Sequence, residues 1–490
     1  MQGRICVLCT NMTLLFWMGL CDKPLTLQGF SRNMIIRIFK EDIPVKHKET
    51  FLKTVSKLAI PVALQSMLQS SFSIIDQIMI GQLGTVKVAG VGLVGKFTSI
   101  YSVLISAVGT VAGIMISQYV GQKNKKEINR SFKLNLLISL ILAALFTIPC
   151  IMFPKNIMGL YTEDYSTMTA AAQYLFIVTY TFIPVAGTTI LSTLFRCMDK
   201  AALPLYASIV AALLNTGLNY VLIFGKFGIK PMGATGAAIA TVISQVANLL
   251  IMLAMLMKYR AKFQVEAVDT DSEGSFKWKQ YLAMLMPILV CELLWSLGEN
   301  VYAGIYGHIS TDASAAMTLT NPIQGLLIGA LCGLSQAAGV IIGKLLGNNE
   351  YDEAYISSKK LIKYGFVGSV ILSVIVLISR PFYVEIYDVD QSVKILTQQI
   401  LVAYAAIAPF KVLNMILGGG IIRSGGKTKY VMVIDMIGTW LFGVPLGYVT
   451  AFVFHMSIPY VYFILSLEEC VRFGISLVVF KRRGWMQSLK

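Results

Sequence analysis

The chain has 490 residues, of which 56% are apolar and 13% charged, against about 25% charged residues in a soluble domain. That balance, with a mean hydropathy of +0.70, excludes an ordinary soluble protein and turns the question to how often the chain crosses a bilayer. The apolar runs are continuous and about 20 residues long, as helical spans require, and do not alternate as barrel strands do.

Residues 1–50 read as an N-terminal extension and basic lead. Ile5–Cys21 is an apolar run behind Arg4 that resembles a signal peptide or short anchor without a small-residue cleavage site, and Met34 opens a basic amphipathic stretch. The rival reading of this region is a thirteenth membrane segment. Six spans follow at 56–81, 88–118, 131–153, 168–193, 203–225 and 233–257, forming an N-terminal lobe over 51–257. The polar segment 258–280 is a tether. Six more spans at 281–306, 314–343, 358–379, 395–420, 430–452 and 457–480 form a C-terminal lobe over 281–480, and 481–490 is a tail.

With the N-terminus inside, the cytoplasmic segments together with the cytoplasmic ends of the spans hold 32 of the 41 Lys and Arg, a positive-inside pattern. The net charge of +16 therefore reports topology: a multi-pass plasma-membrane protein with both termini cytoplasmic and no call for nucleic acid. The eight Cys and three His show neither zinc nor disulfide spacing, so no cofactor is expected. The protein is expected to work as a monomer in the lipid bilayer.

Sliding the chain by 226 residues superposes Pro61 on Pro287, Gly81 on Gly307, Thr85 on Thr311, Gly113 on Gly339 and Gly121 on Gly347, with eleven identities over 61 positions. Near the same offset, Arg196 and Lys200 meet Arg423 and Lys427. An even number of spans in each half makes the repeats parallel, with a substrate cavity between them and rocking that alternates access. The expected fold is an all-α membrane protein, twelve transmembrane helices in two parallel-repeat six-helix lobes around a central cavity.

Ionisable groups inside a bilayer are costly and need a reason. Asp76 has no cation within one helical turn. Asn215 and Asn219 share a face of span 5, and Thr241 enters span 6 at comparable depth. These four oxygen-bearing side chains suit a hard cation such as Na+, and the carboxyl can equally hold a proton; the plain alternative is a hydrogen-bonded helix contact. In the second half, Glu292 and Glu299 lie seven residues apart on nearly one face, and an ion pair of Glu292 with Lys411 competes with either residue lining the cavity. Glu468 and Glu469 sit one turn before Arg472 as an intrahelical ion pair. Asp435 is within reach of the cytoplasmic interface.

The residues resemble the multidrug and toxic compound extrusion (MATE) family of secondary transporters over about 45–488. The carriers are LAIPVALQSMLQSSFSIIDQIMIGQLGTVKVAGVGL from Leu58, GTVAGIMISQYVGQKNKKE from Gly109, FRCMDKAALPLY from Phe195, NTGLNYVLIFGKFGIKPMGATGAAIATVIS from Asn215 and CELLWSLGENVYAGIYGHIS from Cys291. The resemblance implies two six-helix lobes and export of amphiphilic, often cationic compounds in exchange for Na+ or H+, hence a transporter and not an enzyme. It implies that Asp76 binds the coupling ion. Where some members carry a second carboxylate, this chain has Asn219, and Glu292 resembles a functional Glu of span 7. An acidic residue of span 10 found in some branches has no counterpart between Leu396 and Arg423. A lipid-linked precursor flippase of the same superfamily is the alternative, but its cavity should carry several Arg or Lys for phosphates, and only Lys96 and Lys411 are available here.

Overall fold

The computed structural model describes residues 45–263, 278–387 and 389–489. The expectations for the apolar run from Ile5, the basic lead up to residue 44 and the tether at 264–277 lie outside the described residues. Contacts divide the chain at Leu52, and every contact given below lies within the unit Lys53–Lys490.

The first half consists of α1 (Val45–Gly81), α2 (Thr85–Gly121), α3 (Lys125–Met152), the short α4 (Pro154–Gly159), α5 (Tyr165–Val178), α6 (Phe182–Cys197), α7 (Ala202–Phe224) and α8 (Ala234–Phe263). A single 3-10 turn, Thr179–Thr181, joins α5 to α6 into one crossing. The second half begins with α9 (Trp278–Ile309), α10 (Thr311–Gly347), α11 (Tyr351–Glu385) and α12 (Gln391–Asn414). Then come α13 (Lys429–Met436), α14 (Val444–Tyr448), α15 (Ile458–Ser466) and α16 (Glu468–Lys481).

Among the described residues, eleven helices are long and apolar enough to cross a membrane. The twelfth crossing is split: α15 and α16 are separated by Leu467 alone, whose backbone stays helical at φ −62 and ψ −14. Together they span about 36 Å at 1.5 Å per residue. The three charges at Glu468, Glu469 and Arg472 are what keep this stretch from reading as a plain apolar span.

Helix boundaries follow local chemistry. Ser310 caps α10 by accepting the Ala313 amide at 3.0 Å, Asn124 caps α3 through Glu127 N at 3.2 Å, and Asp164 caps α5 through Thr167 N at 2.9 Å, each satisfying a first-turn N–H. The duplication is visible in the backbone. Lys123 and Asn349, one repeat apart, both take the left-handed conformation at φ 56 and φ 62, just after α2 and α10.

Those two helices form the centre of the fold. Val108, Val111, Ala112 and Ile116 of α2 and Ala338 and Ile342 of α10 are fully buried. At their crossing the backbones touch: a Cβ on Gly121 would run into the backbone of Lys344, and a Cβ on Gly347 into that of Gln118. The same end is tied from both halves. Gln118 donates to Ser424 O at 2.6 Å and accepts from Leu489 N at 2.6 Å, Gln122 donates to Leu489 O at 2.6 Å, and Lys344 pairs with Asp199 at 2.7 Å. The chain's terminal segment is docked here, with Trp485 fully buried against Phe480.

Three π-helical stretches widen the second half, at Met415–Ile422, Ile437–Gly443 and Val449–Val453. Such turns free carbonyls and are frequent at functional sites. Ser335 answers one of them, donating to Met415 O at 2.6 Å.

Candidate functional site

In the first half, α1, α7 and α8 bring Asp76, Asn215, Asn219 and Thr241 together. The α7–α8 turn closes tightly because Gly225 adopts φ 69, which sets the two helices side by side. Asn219 Nδ2 donates to Asp76 Oδ1 at 2.6 Å and to Asn215 Oδ1 at 3.2 Å, and Asn215 Nδ2 reaches Thr241 Oγ1 at 3.5 Å. Asn215 and Asn219 are buried, and Asp76 is half-buried. An apolar wall of Ile80, Ile223 and Ala237, with Met79, Leu83 and Tyr174 packed on it, closes one side.

Two features set this cluster apart from a satisfied helix contact. Asn219 Oδ1 is buried and has no hydrogen-bond partner. The end of the Asn215 amide that faces Asp76 lies 3.0 and 3.1 Å from the two carboxylate oxygens. With nitrogen there, the amide donates to Asp76. With oxygen there, it faces the Asp76 carboxylate acceptor to acceptor, with the Asn219 amide nitrogen as their shared donor, and a proton or a cation between them would satisfy both. Among the described residues Asp76 makes no ion pair.

The second half is arranged differently from expectation. Glu292 pairs with Arg423, Oε1 to Nη1 at 3.2 Å, and not with Lys411. Arg423 falls between the spans expected at 395–420 and 430–452, but it stands on the cavity wall beside Glu292. Lys411, twelve residues earlier, is therefore about 18 Å away along the helix and turned further by the intervening π segment. The carboxylates acting on Lys411 are those of Glu469, Glu299 and Glu468, all beyond ion-pair distance. Glu299 is exposed on α9 and is not among the cavity-lining residues.

Arg472 does pair within its helix, with Glu469 at 3.4 Å and Glu468 at 4.0 Å. Its shortest contact, however, is Asp435 at 2.6 Å, so Asp435 is held inside the bundle by Arg472 instead of reaching the interface. Glu468 accepts from Tyr302 Oη at 2.6 Å, and Asn414 donates to Glu469 at 2.8 Å. By the 226-residue register Tyr302 occupies the place of Asp76.

Between the halves lies a cavity of about 560 Å³ whose wall includes Gln65, Gln69 and Arg196 of the first half and Glu292, Gln336 and Arg423 of the second. Arg196 Nη2 donates to Gln65 Oε1 at 3.1 Å. Arg423 Nη2 reaches Cys291 Sγ at 3.4 Å beside its pair with Glu292. Neither Lys96 nor Lys411 lines this cavity. The sequence reading assigned Arg196 and Arg423 to cytoplasmic segments; the signal that could have found them was the repeat itself, which superposes one on the other.

The MatE family model matches residues 61–221 and again 287–449, starting at the two prolines that the self-alignment superposes. The probable multidrug resistance protein YoeA of Bacillus subtilis is 24% identical over 426 residues, covering 82% of this chain and 88% of that protein. The probable multidrug resistance protein NorM of Thermotoga maritima is 22% identical over 457 residues, covering 91% and 96%. A variant of the Vibrio cholerae MATE transporter VcmN shares the fold at a TM-score of 0.81 and 17% identity, covering 89% of this chain and 97% of that one.

Proposed function

The chain belongs to the MatE family, and from that premise we propose that it is a secondary active multidrug antiporter of the plasma membrane. It exports amphiphilic, often cationic compounds in exchange for Na+ or H+, acts as a monomer and has both termini in the cytoplasm. The observation that carries the coupling role is Asp76, an unpaired carboxylate within a span, held by Asn219 at 2.6 Å beside the partnerless Asn219 Oδ1.

The residues fit a small hard cation or a proton. Asp76, Asn219, Asn215 and Thr241 would hold it, all through oxygen, and the ion would supply the charge that the clustered acceptors lack. The Asn215 amide is the adaptable part: nitrogen toward Asp76 serves the ion-free carboxylate, oxygen serves the loaded site. Because α1, α7 and α8 meet there, loading changes how these helices pack. Ion and drug then favour different states of one carrier, and by linkage each weakens the other. The basic loops, placed in the cytoplasm, put the α2–α10 crossing and its Gln118 and Lys344 ties on the cytoplasmic side, so the described state is closed inward.

The multidrug resistance names of the relatives do not favour the flippase alternative. The test is efflux of a fluorescent organic cation from vesicles under imposed Na+ or pH gradients, comparing the native chain with Asp76→Asn. Gradient-driven efflux is expected to be lost in the variant, and the gradient that drives the native chain identifies the ion. Undiminished efflux by the variant overturns the proposal.

A further inference from the structure

The central cavity is asymmetric in charge. Among the described residues its lining contains three ionisable side chains apart from a cysteine, Arg196, Glu292 and Arg423. Two guanidinium groups therefore face one carboxylate. Arg423 owns that carboxylate through its 3.2 Å pair. The repeat register places Ser66 at the position of Glu292, and Ser66 lines the same cavity. Arg196 has thus kept the geometry of its repeat mate and lost the countercharge.

Among the described residues Arg196 makes no ion pair. Its one hydrogen bond goes to the neutral Gln65, and its Nε is buried without a partner. A guanidinium offers five N–H donors in a planar fork that matches an oxyanion. Arg196 is half-buried on the cavity wall, where a guanidinium without a resident countercharge is open to a negative charge that arrives with the cargo. The rest of the wall agrees. Ser192, Thr193, Gln245 and Asn248 present hydroxyls and amides, and among the described residues no Phe, Tyr or Trp lines the cavity, although aromatic faces are the usual means of holding an organic cation.

We propose that Arg196 is an anion subsite of the central cavity, and that the compounds this protein carries include organic anions and zwitterions whose carboxylate docks on its guanidinium. In a zwitterion the cationic end meets the oxygen of Glu292 that Arg423 leaves unbound. This rests on reading the cavity as the cargo site of the proposed transporter and narrows what the cargo is.

The test uses a matched pair of dyes, tetramethylrhodamine with its free carboxylate and tetramethylrhodamine ethyl ester, which share a cationic ring system and differ in the anion. Binding of each to the purified full chain in phosphatidylcholine nanodiscs, at neutral pH and without any ion gradient, is read by fluorescence anisotropy. The native chain is expected to bind the carboxylate dye at least about tenfold more tightly than the ester, the ratio that one charge-assisted fork supports at about 1.4 kcal/mol per decade. Arg196→Gln should bring the ratio to about one. Ser66→Glu leaves Arg196 in place but gives it the countercharge its repeat mate has, and should bring the ratio to one or below. Equal or weaker binding of the carboxylate dye by the native chain overturns the proposal, as does a ratio that survives in either folded variant. A preserved preference without gradient-driven export would instead refute the antiporter reading alone.

Discussion

Replacing Arg472 with Met removes the guanidinium on which the buried carboxylates of Glu468 and Glu469 and the half-buried one of Asp435 depend. Arg472 lies 2.6 Å from Asp435, 3.4 Å from Glu469 and 4.0 Å from Glu468, and its side chain is 9% exposed. Taking away one partner of a buried pair costs about 3–5 kcal/mol, because the remaining charge is left without compensation. Here the cost belongs at the upper end, since among the described residues the cations left nearby, Lys411 for Glu468 and Glu469 and Arg423 for Asp435, make no ion pair with them. Met keeps the apolar stem of Arg, so what is lost is the guanidinium end that carries the charge. The assay is the fraction of fluorescently tagged protein that stays monodisperse after heating in detergent. Arg472→Met should aggregate at much lower temperature than the native chain. The triple variant Arg472→Met, Asp435→Asn, Glu469→Gln should recover most of the difference, because it removes the stranded charges with their partner. An Arg472→Met protein as heat-resistant as the native one would refute the view that these charges form a structural lock, and so would a triple variant that recovers nothing.

Three further perturbations follow from the same geometry. Gly121→Leu must push α10 away, since even a Cβ there meets the Lys344 backbone; overpacking of this kind costs about 1–3 kcal/mol, and vesicle efflux should fall sharply while membrane insertion, read by yield, persists. Trp485→Ala empties a fully buried site against Phe480 and should lower thermal stability by about 3–5 kcal/mol, measured by the same heating assay. Asp164 caps α5, and its hydrogen bonds to Thr167 and Ser166 hold the carboxyl down to about 2. A depressed folded value contributes stability that is present above the unfolded value near 3.8 and is lost as pH falls toward 2, so Asp164→Ala should lower thermal stability by an amount that does not vary between pH 5 and 8.

How much of this was legible in the sequence depended on whether a residue's role was local. Span positions, the duplication and the shared depth of Asp76, Asn215, Asn219 and Thr241 follow from hydropathy, self-alignment and a fixed rise per residue, and the structure does bring those four together. The Glu292 partner was misread because depth counting assumes a uniform helix and assigns terminal cations to water. Arg423 breaks the second assumption, since it follows a π-helical stretch with three consecutive glycines, Gly418–Gly420, and turns into a polar cavity. Asp435 was misread for a similar reason: its partner Arg472 lies on another helix, and one chain gives no sign of which helices pack.

The asymmetry between the halves carries the last step. The repeat sets Asp76 against Tyr302 and Ser66 against Glu292. In the second half four carboxylates near these positions have fixed partners, while Glu299 is exposed: Glu292 has Arg423, Asp435 and Glu469 have Arg472, and Glu468 has Tyr302 and Arg472. In the first half Asp76 is held by a neutral amide and Arg196 by another. A charge locked to a resident countercharge gains little from an incoming ion, whereas one held by neutral dipoles can exchange partners as a cation, proton or cargo arrives. Transplanting the lock tests this directly. Asn219→Lys places an ammonium beside Asp76, and it should abolish ion-driven efflux as completely as Asp76→Asn while leaving the folded yield closer to native, because the carboxylate gains a partner. If Asn219→Lys transports normally under the driving gradient, freedom of the Asp76 charge is not what couples the ion.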